Sequence, residues 1–388
     1  KFMDSPTPDM IAQLRTRIWN HGRIPTLWIV APDSVRIYDS FARPQADDVH
    51  SADNHLLGEL QRIGNTITSI EEFHKNRFDT GEFWRTGKGC DINPNQRVDS
   101  ALLRDLSATE TILVSQGLDS TTAHALLGRA IFVKYLEDRK ILKPADFNAH
   151  GDCGEFKGFL GDKQKTYSFF KWLRDTFNGD LFPLSPNEEN SVQPLHLAIL
   201  QRFLAGHDMR RYPETQSRLW PYSFDIIPIE LISSIYEMFA HARDPELAKA
   251  ISVHYTRFSL VELVLSLGMQ GIKDTDRVLD PACGSGVFLV EAFRRLVWLK
   301  EEKYGRSLNR NELHEILQNQ IFGLDIDQDA VFVAAFSLYL TLLELDTDPQ
   351  PPDALKFPRL VENSQEKGGQ IPNLYMQDFF NIEHGFNQ

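Results

Sequence analysis

The pattern of hydrophobic and polar positions becomes regular after residue 246. Short apolar runs typical of buried strands, in DRVLD and QIFGLDID, alternate with longer runs at helical spacing, in GVFLVEAFRRLVWLKEEKYG and QDAVFVAAFSLYLTLLEL. A further strand-like run, LYMQDFF, comes later in the chain. Strand, helix, strand, helix and strand in this order predict an α/β domain with a parallel, doubly wound sheet over residues 246–388.

The earlier part of the chain has a different pattern. In residues 1–110, the runs TLWIVA and SVRIYDSF, joined by the turn PDS, predict a β-hairpin within a small mixed α/β module. Residues 111–245 are predicted to form a helical domain, in which TTAHALLGRAIFVKYLEDRKIL has apolar residues at helical spacing and a Ser/Thr start. A chain of 388 residues is also too long for one ordinary core, so two or three domains are expected from length, and the patterns above predict three.

Composition narrows the class of protein. Hydrophobic residues make up 42% and charged residues 24%, and no apolar run reaches the roughly 20 residues that cross a bilayer. No membrane partner is therefore expected. The three cysteines have no spacing typical of zinc sites or disulfide frameworks, so no metal is expected, and the compartment is predicted to be the cytoplasm. The net charge of −13 argues against a protein that binds nucleic acid with this chain alone, but leaves open a DNA enzyme with a local basic surface.

The glycines of DPACGSGVFL are the first candidate for chemistry. Gly284 and Gly286 follow a predicted strand and precede a predicted helix, where absent side chains let a ligand approach the backbone. A dinucleotide fingerprint requires a third glycine, but this position is Leu289, and no Gly-Lys-Ser/Thr run for triphosphates is present. The pattern therefore favours a ligand with ribose and adenine but no phosphates, while a turn without any ligand stays open for the two glycines taken alone.

Acidic residues end the next two predicted strands. Asp325 is placed to accept hydrogen bonds from ribose hydroxyls, although it or Asp327 could instead cap the following helix; we favour Asp325 for the ribose and Asp327 for the cap. Asp378 could accept from an adenine amino group while Phe379 packs on its ring. Taken alone, this last pair is better explained as a loop acid beside a core phenylalanine.

These stretches resemble a known family. DPACGSGVFL, IFGLDID and QDFF look like the S-adenosylmethionine-binding motifs of adenine-N6 DNA methyltransferases, and HYTRFSLVELVL resembles the segment before them. GRAIFVKYLEDRKIL, FNGDLFP and FDIIPIELISSIYEMF resemble the helical region of large methylases of restriction-modification and phage-defence systems, namely type I modification subunits and the fused type IIG, Eco57I-like group. The resemblance covers residues 115–388 and is weak before them.

The resemblance implies a Rossmann-like, S-adenosylmethionine-dependent methyltransferase domain. Tyr255 and Thr256 would contact the methionine end of the cofactor, and Asp280 would hold its amino group. Arg257 stands where the family usually has proline, and Cys283 is interpreted as a small packing residue. The full set of cofactor-binding residues expected from the resemblance is Tyr255, Thr256, Asp280, Ala282, Gly284, Gly286, Asp325, Ile326, Asp378 and Phe379.

The catalytic residues stay unassigned. Family members place Asn/Asp-Pro-Pro-Tyr/Phe after the fourth strand to bind a flipped adenine, and this tetrapeptide is absent from residues 1–388; Pro351-Pro352 lies between Gln350 and Asp353. The N-terminal portion of a longer methylase is the favoured explanation, and a cofactor-binding protein that has lost catalysis is the alternative. The first explanation implies double-stranded DNA bound mainly through regions beyond residue 388, with specificity or restriction subunits as further partners.

Two other classes of enzyme also use a glycine turn of this kind. A methyltransferase acting on RNA or protein stays open, whereas Leu289 and the HYT segment disfavour a nicotinamide dehydrogenase. A metal-dependent nuclease needs an Asp on one strand and Glu/Asp-x-Lys on the next; Pro32-Asp33 is present in the first hundred residues, but no Glu/Asp-x-Lys follows on a strand. We therefore interpret them as an accessory or DNA-associated module, and nuclease activity stays open without support.

Overall fold

The computed structural model describes residues 7–44, 55–61, 71–176, 184, 187–213, 222–229, 231, 235, 256, 258–347, 357–361 and 372–380. Within them the chain is a mixed α/β protein, mostly helical. In chain order the elements are α1 Pro8–His21, β1 Thr26–Val30, β2 Ser34–Asp39, β3 Leu56–Gln61, α2 Lys75–Asp79, α3 Val98–Ser115, α4 Ser120–Asp138, α5 Pro144–Gly151, α6 Phe156–Phe159, α7 Lys163–Thr176, α8 Glu188–Ser191, α9 Pro194–Leu204, α10 Phe258–Gly268, β4 Val278–Asp280, α11 Val287–Tyr304, α12 Arg310–Gln320, β5 Ile321–Asp325, α13 Gln328–Leu345 and β6 Leu374–Met376.

The chain divides into two compact units. The first unit is Lys1–Leu118 with Gln193–Pro228, and the second is Asp119–Val192 with Ile229–Gln388. Residues of the predicted helical domain 111–245 are thus shared between the two units. The division into 1–110, 111–245 and 246–388 stays a prediction.

The first unit is built on an antiparallel sheet. β1 pairs with β2 and β2 with β3, which confirms the predicted hairpin around the turn PDS. Successive side chains of a strand point to opposite faces, so Ile37 and Tyr38 of β2 enter different core clusters. Ile37 packs with aromatic residues from 73 to 83, and Tyr38 packs with Ile11 of α1.

A buried polar cluster ties residues 222–228 into the first unit. Asp105 of α3 is 2% exposed, and its Oδ2 accepts hydrogen bonds from Arg43 Nη1 at 2.7 Å and from the Tyr222 hydroxyl at 2.7 Å. The Tyr222 ring also lies 5.7 Å from that of Trp19 in α1. A buried carboxylate requires such partners, so this cluster fixes which distant segments pack together.

Helices α4 to α8 belong to the second unit. Asp119 caps α4 by accepting a hydrogen bond from the Thr122 N–H at 2.9 Å, and the predicted helix is confirmed. Most residues of α4 are buried. Phe132 packs edge-on against Phe336 of α13 with ring centroids 5.1 Å apart. Arg129 of α4 forms a buried ion pair with Glu188 of α8 at 2.6 Å.

The second unit also contains the predicted parallel sheet. β4 pairs with β5 and β5 with β6, all parallel, in the order β4-β5-β6. Their carboxyl ends therefore lie at one edge of the sheet. Helix α11 follows β4 and α13 follows β5, as expected from the apolar spacing. Because α13 is buried along most of its length, its sequence is apolar on nearly every face.

One helix of this unit was missed in the sequence. Residues 306–320 contain α12, which the apolar spacing does not predict and which ends directly at β5. Its start carries a capping box, in which the Asn309 side chain accepts from the Glu312 N–H and the Glu312 side chain accepts from the Asn309 N–H. Asn followed three residues later by Glu is a known helix-start signal, so the sequence contained the information.

Candidate functional site

The glycine turn lies where β4 ends and α11 begins. Gly284 and Gly286 both have positive φ, +51° and +86°, a conformation that glycine adopts without the steric cost other residues meet. The Gly286 N–H donates to the Cys283 carbonyl at 2.8 Å, and the Cys283 N–H donates to the Leu324 carbonyl of β5 at 2.8 Å. The turn is therefore closed on itself and fastened to the neighbouring strand.

The two glycines meet different surroundings. A Cβ on Gly286 would lie 2.9 Å from both Cα and Cβ of Ala334 in α13, so this glycine permits close packing of the two elements. A Cβ on Gly284 would have no atom of the described residues within 4 Å, its chain neighbours aside. Open space beside Gly284 is consistent with room for a ligand there.

Asp280, the last residue of β4, has an incompletely satisfied carboxylate. Its Oδ1 accepts a hydrogen bond from the Ala282 N–H at 3.1 Å. Its Oδ2 is buried and has no hydrogen-bond partner within the described part of the chain. Burial raises the pKa of Asp280 above its ordinary value, and the neighbouring carboxylate of Asp325 raises it further.

Asp325, the last residue of β5, binds backbone groups with both oxygens. Its Oδ2 accepts from the Gly284 N–H at 2.8 Å and its Oδ1 from the Asp327 N–H at 2.9 Å. Asp327 immediately precedes α13, and its carbonyl accepts the first helical hydrogen bond from the Val331 N–H at 3.1 Å. That places Asp327 at the cap position; capping by its side chain stays a prediction.

The loop after β6 lies at the same edge of the sheet. The strand register pairs Asp325 with Met376, and Asp378 follows two residues later. Asp378 is exposed, and its Oδ1 accepts from the Phe380 N–H at 3.0 Å, while Phe379 is half-buried. Exposed apolar side chains surround this edge: Ile326 is 57% exposed, and Phe380 is 92% exposed.

The segment before the turn is represented by Thr256 and α10. Thr256 is half-buried, and Tyr255 and Arg257 lie outside the described residues. Val261 and Leu265 of α10 pack against Val287, the first residue of α11. The helix that follows the predicted methionine-end residues thus contacts the helix that follows the glycine turn.

Cys283 lies inside the turn but is not poised for nucleophilic chemistry. It is 4% exposed, and burial raises the pKa of its thiol, as do the carboxylates of Asp280 and Asp325. A thiol kept protonated is a poor nucleophile, which agrees with its interpretation as a packing residue.

The electrostatic character of this edge is acidic. Asp280, Asp325 and Asp378 form no ion pair with any described lysine or arginine, and the neighbouring Asp327 adds a fourth carboxylate. Such an arrangement suits a ligand with a positive charge and several N–H or O–H donors. In the described ranges, no group of three His, Cys, Asp or Glu residues is placed to hold a metal, and no helix is long and apolar enough to cross a membrane.

Comparison with known proteins gives matches centred on this region. The family model of the MmeI DNA-methyltransferase domain matches residues 269–354, from the end of α10 to beyond α13. RM.BcgI, a type II restriction enzyme and methyltransferase of Heyndrickxia coagulans, is 37% identical over 70 residues, which are 18% of this chain and 10% of that protein. The adenine-specific methyltransferase BrxX of Escherichia coli O9:H4 (strain HS) is 45% identical over 64 residues, 16% of this chain and 5% of BrxX.

A longer but weaker match extends upstream. The methylase subunit of the type I restriction enzyme MjaVII of Methanocaldococcus jannaschii is 23% identical over 228 residues, covering 57% of this chain and 36% of that subunit. Each of these matches covers well under two thirds of the relative's own length. The fold and site define an α/β protein with a glycine turn at the carboxyl edge of a parallel sheet. The matched parts of the chain are similar to methyltransferases, several of which are named as parts of restriction enzymes.

Proposed function

We propose that this chain forms the S-adenosylmethionine-binding part of a site-specific DNA methyltransferase that modifies adenine N6 in a restriction-modification or phage-defence system. In this proposal the parallel sheet and its helices are a Rossmann-like methyltransferase domain. Similarity of residues 269–354 to the MmeI DNA-methyltransferase domain supports the reaction class, and the 45% identity over 64 residues to BrxX, an adenine-specific methyltransferase, supports adenine as the target base.

The observation that carries the proposal is the buried Oδ2 of Asp280, which has no hydrogen-bond partner among the described residues. A buried carboxylate oxygen is costly unless a donor satisfies it. The α-ammonium group of S-adenosylmethionine carries a positive charge and three N–H donors. The open space at Gly284 and the absence of an ion pair to Asp280 among described residues fit a ligand that brings its own cation.

The cofactor, when bound, supplies a methyl group activated by a sulfonium. The residues of this chain bind and orient it: Asp280 accepts hydrogen bonds from its ammonium group, and the free lone pairs of Asp325 accept from its ribose hydroxyls. Asp378 accepts from the adenine amino group, and Phe379 and Ile326 contact the ring. The backbone at Ala282, Gly284 and Gly286 lines the ligand, and Tyr255 and Thr256 contact its methionine end.

Double-stranded DNA is the proposed substrate, and adenine must leave the base stack to reach such a site. The chain's net charge of −13 does not suit a DNA groove, because phosphate contacts come from lysine and arginine. We therefore propose that most DNA contacts come from polypeptide outside residues 1–388, or from a specificity or restriction subunit.

Calorimetric titration with S-adenosylhomocysteine tests the cofactor. Binding in the micromolar range is expected for the unsubstituted chain. Asp280→Asn should weaken it roughly 10- to 150-fold, because a hydrogen bond to a charged group contributes about 1.5–3 kcal/mol. Asp162→Asn, which alters an exposed residue before α7, is the control and should bind normally. Binding of NAD but not S-adenosylhomocysteine would overturn the proposal.

The substrate is tested in cells. Expression of the complete gene that contains these residues, together with any specificity subunit, in a host whose DNA lacks N6-methyladenine should add this base at one recognition sequence, detected by mass spectrometry of digested DNA. Methylated cytosine instead would contradict the adenine assignment. Unmodified DNA together with intact S-adenosylhomocysteine binding would favour the cofactor-binding protein without catalysis.

A further inference from the structure

Asp325 makes more contacts than a ribose-binding residue needs. Its Oδ2 accepts from the Gly284 N–H at 2.8 Å, its Oδ1 accepts from the Asp327 N–H at 2.9 Å, and its carbonyl accepts from the Gln377 N–H at 2.9 Å. These three donors belong to the turn after β4, the start of α13 and the loop after β6. One residue is thus bonded to all three segments of the candidate site.

We propose that Asp325 is a positioning residue that holds the glycine turn in its binding conformation before any ligand arrives. The inference rests on the proposed function for the identity of the ligand, but the hold on the turn exists in the ligand-free protein. Asp325 thereby connects the ammonium subsite at Asp280 with the adenine subsite at Asp378.

The geometry of the turn explains why it needs such a partner. Gly284 has φ +51°, and no atom of the described residues beyond its chain neighbours would lie within 4 Å of a Cβ there, so these residues supply no close side-chain packing at this position. Glycine also has the largest conformational freedom to lose on folding. The hydrogen bond from Gly284 N–H to the carboxylate is charge-assisted and supplies a restraint that packing does not.

A second bond supports the same arrangement. The Cys283 N–H donates to the carbonyl of Leu324, the residue before Asp325, at 2.8 Å. Successive N–H groups of the turn are therefore directed at the end of β5, first to a backbone oxygen and then to the carboxylate. A preorganised site binds more tightly because less ordering remains to be done when the ligand arrives.

The substitution Asp325→Asn separates holding the turn from binding the ribose. An asparagine side chain can still hydrogen-bond a ribose hydroxyl as donor or acceptor. It has only one acceptor oxygen, however, so its NH₂ group must face one of the two backbone N–H groups. The turn should therefore loosen even though the side chain keeps its size and its ability to contact the ligand.

The test is hydrogen–deuterium exchange of the ligand-free chain, followed by mass spectrometry of peptides spanning residues 281–287. Asp325→Asn should speed exchange in this segment roughly tenfold or more, with α4 peptides unchanged as the internal reference. Saturating S-adenosylhomocysteine should restore protection. The matched control is Asp378→Asn, a carboxylate at the same edge whose hydrogen bond among the described residues stays within its own loop, and it should leave exchange of the turn unchanged.

Unchanged exchange of the turn in Asp325→Asn would overturn the inference, whatever the ligand affinity. If Asp325→Asn speeds exchange throughout the second unit, the experiment is repeated with Asp325→Glu. Glutamate keeps both carboxylate oxygens but places them one methylene group further from the backbone. Turn exchange must then rise relative to α4, and an unaltered ratio overturns the inference. Loss of S-adenosylhomocysteine binding by the unsubstituted chain would instead count against the proposed cofactor only, since the exchange experiment needs no ligand.

Discussion

Glu188 and Asp280 are two acidic residues of the second unit with buried carboxylate oxygens, but their surroundings differ. Glu188 is 2% exposed, and its oxygens accept from Arg129 Nη1 at 2.6 Å, from Arg129 Nη2 at 3.1 Å and from the Tyr167 hydroxyl at 3.1 Å. The Arg129 guanidinium also lies 4.8 Å from the ring centroid of Phe170. The charge of Glu188 is therefore compensated completely within the chain.

Asp280 has the opposite environment. It has one backbone hydrogen bond, one buried oxygen without a partner among the described residues, and a second carboxylate nearby. The burial that is tolerated at Glu188, because a guanidinium faces it, is unfavourable at Asp280. The contrast separates a buried acid that stabilises the fold from one whose partner must come from outside, which is why Asp280 is the stronger sign of a ligand.

Breaking the Glu188 pair should have the largest effect on stability. Glu188→Gln leaves the buried Arg129 without a countercharge, and removing one partner of a buried ion pair costs about 3–5 kcal/mol. Urea unfolding monitored in the second unit should show this loss. The neighbouring Glu189→Gln is the matched control, because its ion pair with Lys171 is 42% and 51% exposed and contributes about 1 kcal/mol or less. Equal effects of the two substitutions would mean that burial does not distinguish these pairs.

The two glycines of the turn should differ in a similar way. Gly286→Ala should lower the free energy of unfolding for two reasons. Alanine in left-handed backbone costs roughly 1–2 kcal/mol, and overpacking against Ala334 costs roughly 1–3 kcal/mol. Gly284→Ala meets only the backbone cost, but its new methyl group enters the space proposed for the ligand. We therefore expect Gly286→Ala to lose more stability than Gly284→Ala. Gly284→Ala should lose S-adenosylhomocysteine binding without a large loss of stability. Thermal unfolding and calorimetry measure the two effects, and equal stability losses would contradict the assigned surroundings.

The sequence alone predicted the local part of this site well. The hairpin, the helix α4, the order of strands and helices in the parallel sheet and the helix α13 follow from apolar spacing and turn residues that lie close together in the chain. The acids at Asp280 and Asp325 could be assigned to strand ends for the same reason.

What could not be predicted depends on contacts between distant residues. The partner of Glu188 lies 59 residues away, and Asp325 reaches the turn across 41 residues. Residues 193–228 join the first unit through pairs such as Tyr222 with Asp105, separated by 117 residues, and Ser223 with Asn20, separated by 203 residues. Local patterns contain no information on which of many polar residues will pair, so the division into these two units was not foreseen.

Asp280→Asn should have the smallest effect on stability. Unlike the other substitutions, it is not expected to destabilise the fold. Burial raises the pKa of Asp280 in the folded chain above its ordinary value of 3.8, so folding favours the protonated form. Its favourable contribution is present below pH 3.8 and is lost as the pH rises through the raised pKa. At neutral pH the ionised Asp280 therefore destabilises the ligand-free fold, and Asp280→Asn should leave Tm unchanged or raise it.

The pH dependence sharpens this expectation, because stability and ligand binding should respond in opposite directions. An ammonium group binds the ionised carboxylate, so affinity for S-adenosylhomocysteine should increase as the pH rises through the raised pKa of Asp280. Over the same pH range the unsubstituted chain should become less stable relative to Asp280→Asn. Tm and calorimetric affinity measured across the same pH series check both trends. A Tm lower for Asp280→Asn than for the unsubstituted chain at neutral pH would mean that Asp280, like Glu188, stabilises the fold, and the distinction between the two acids would fail.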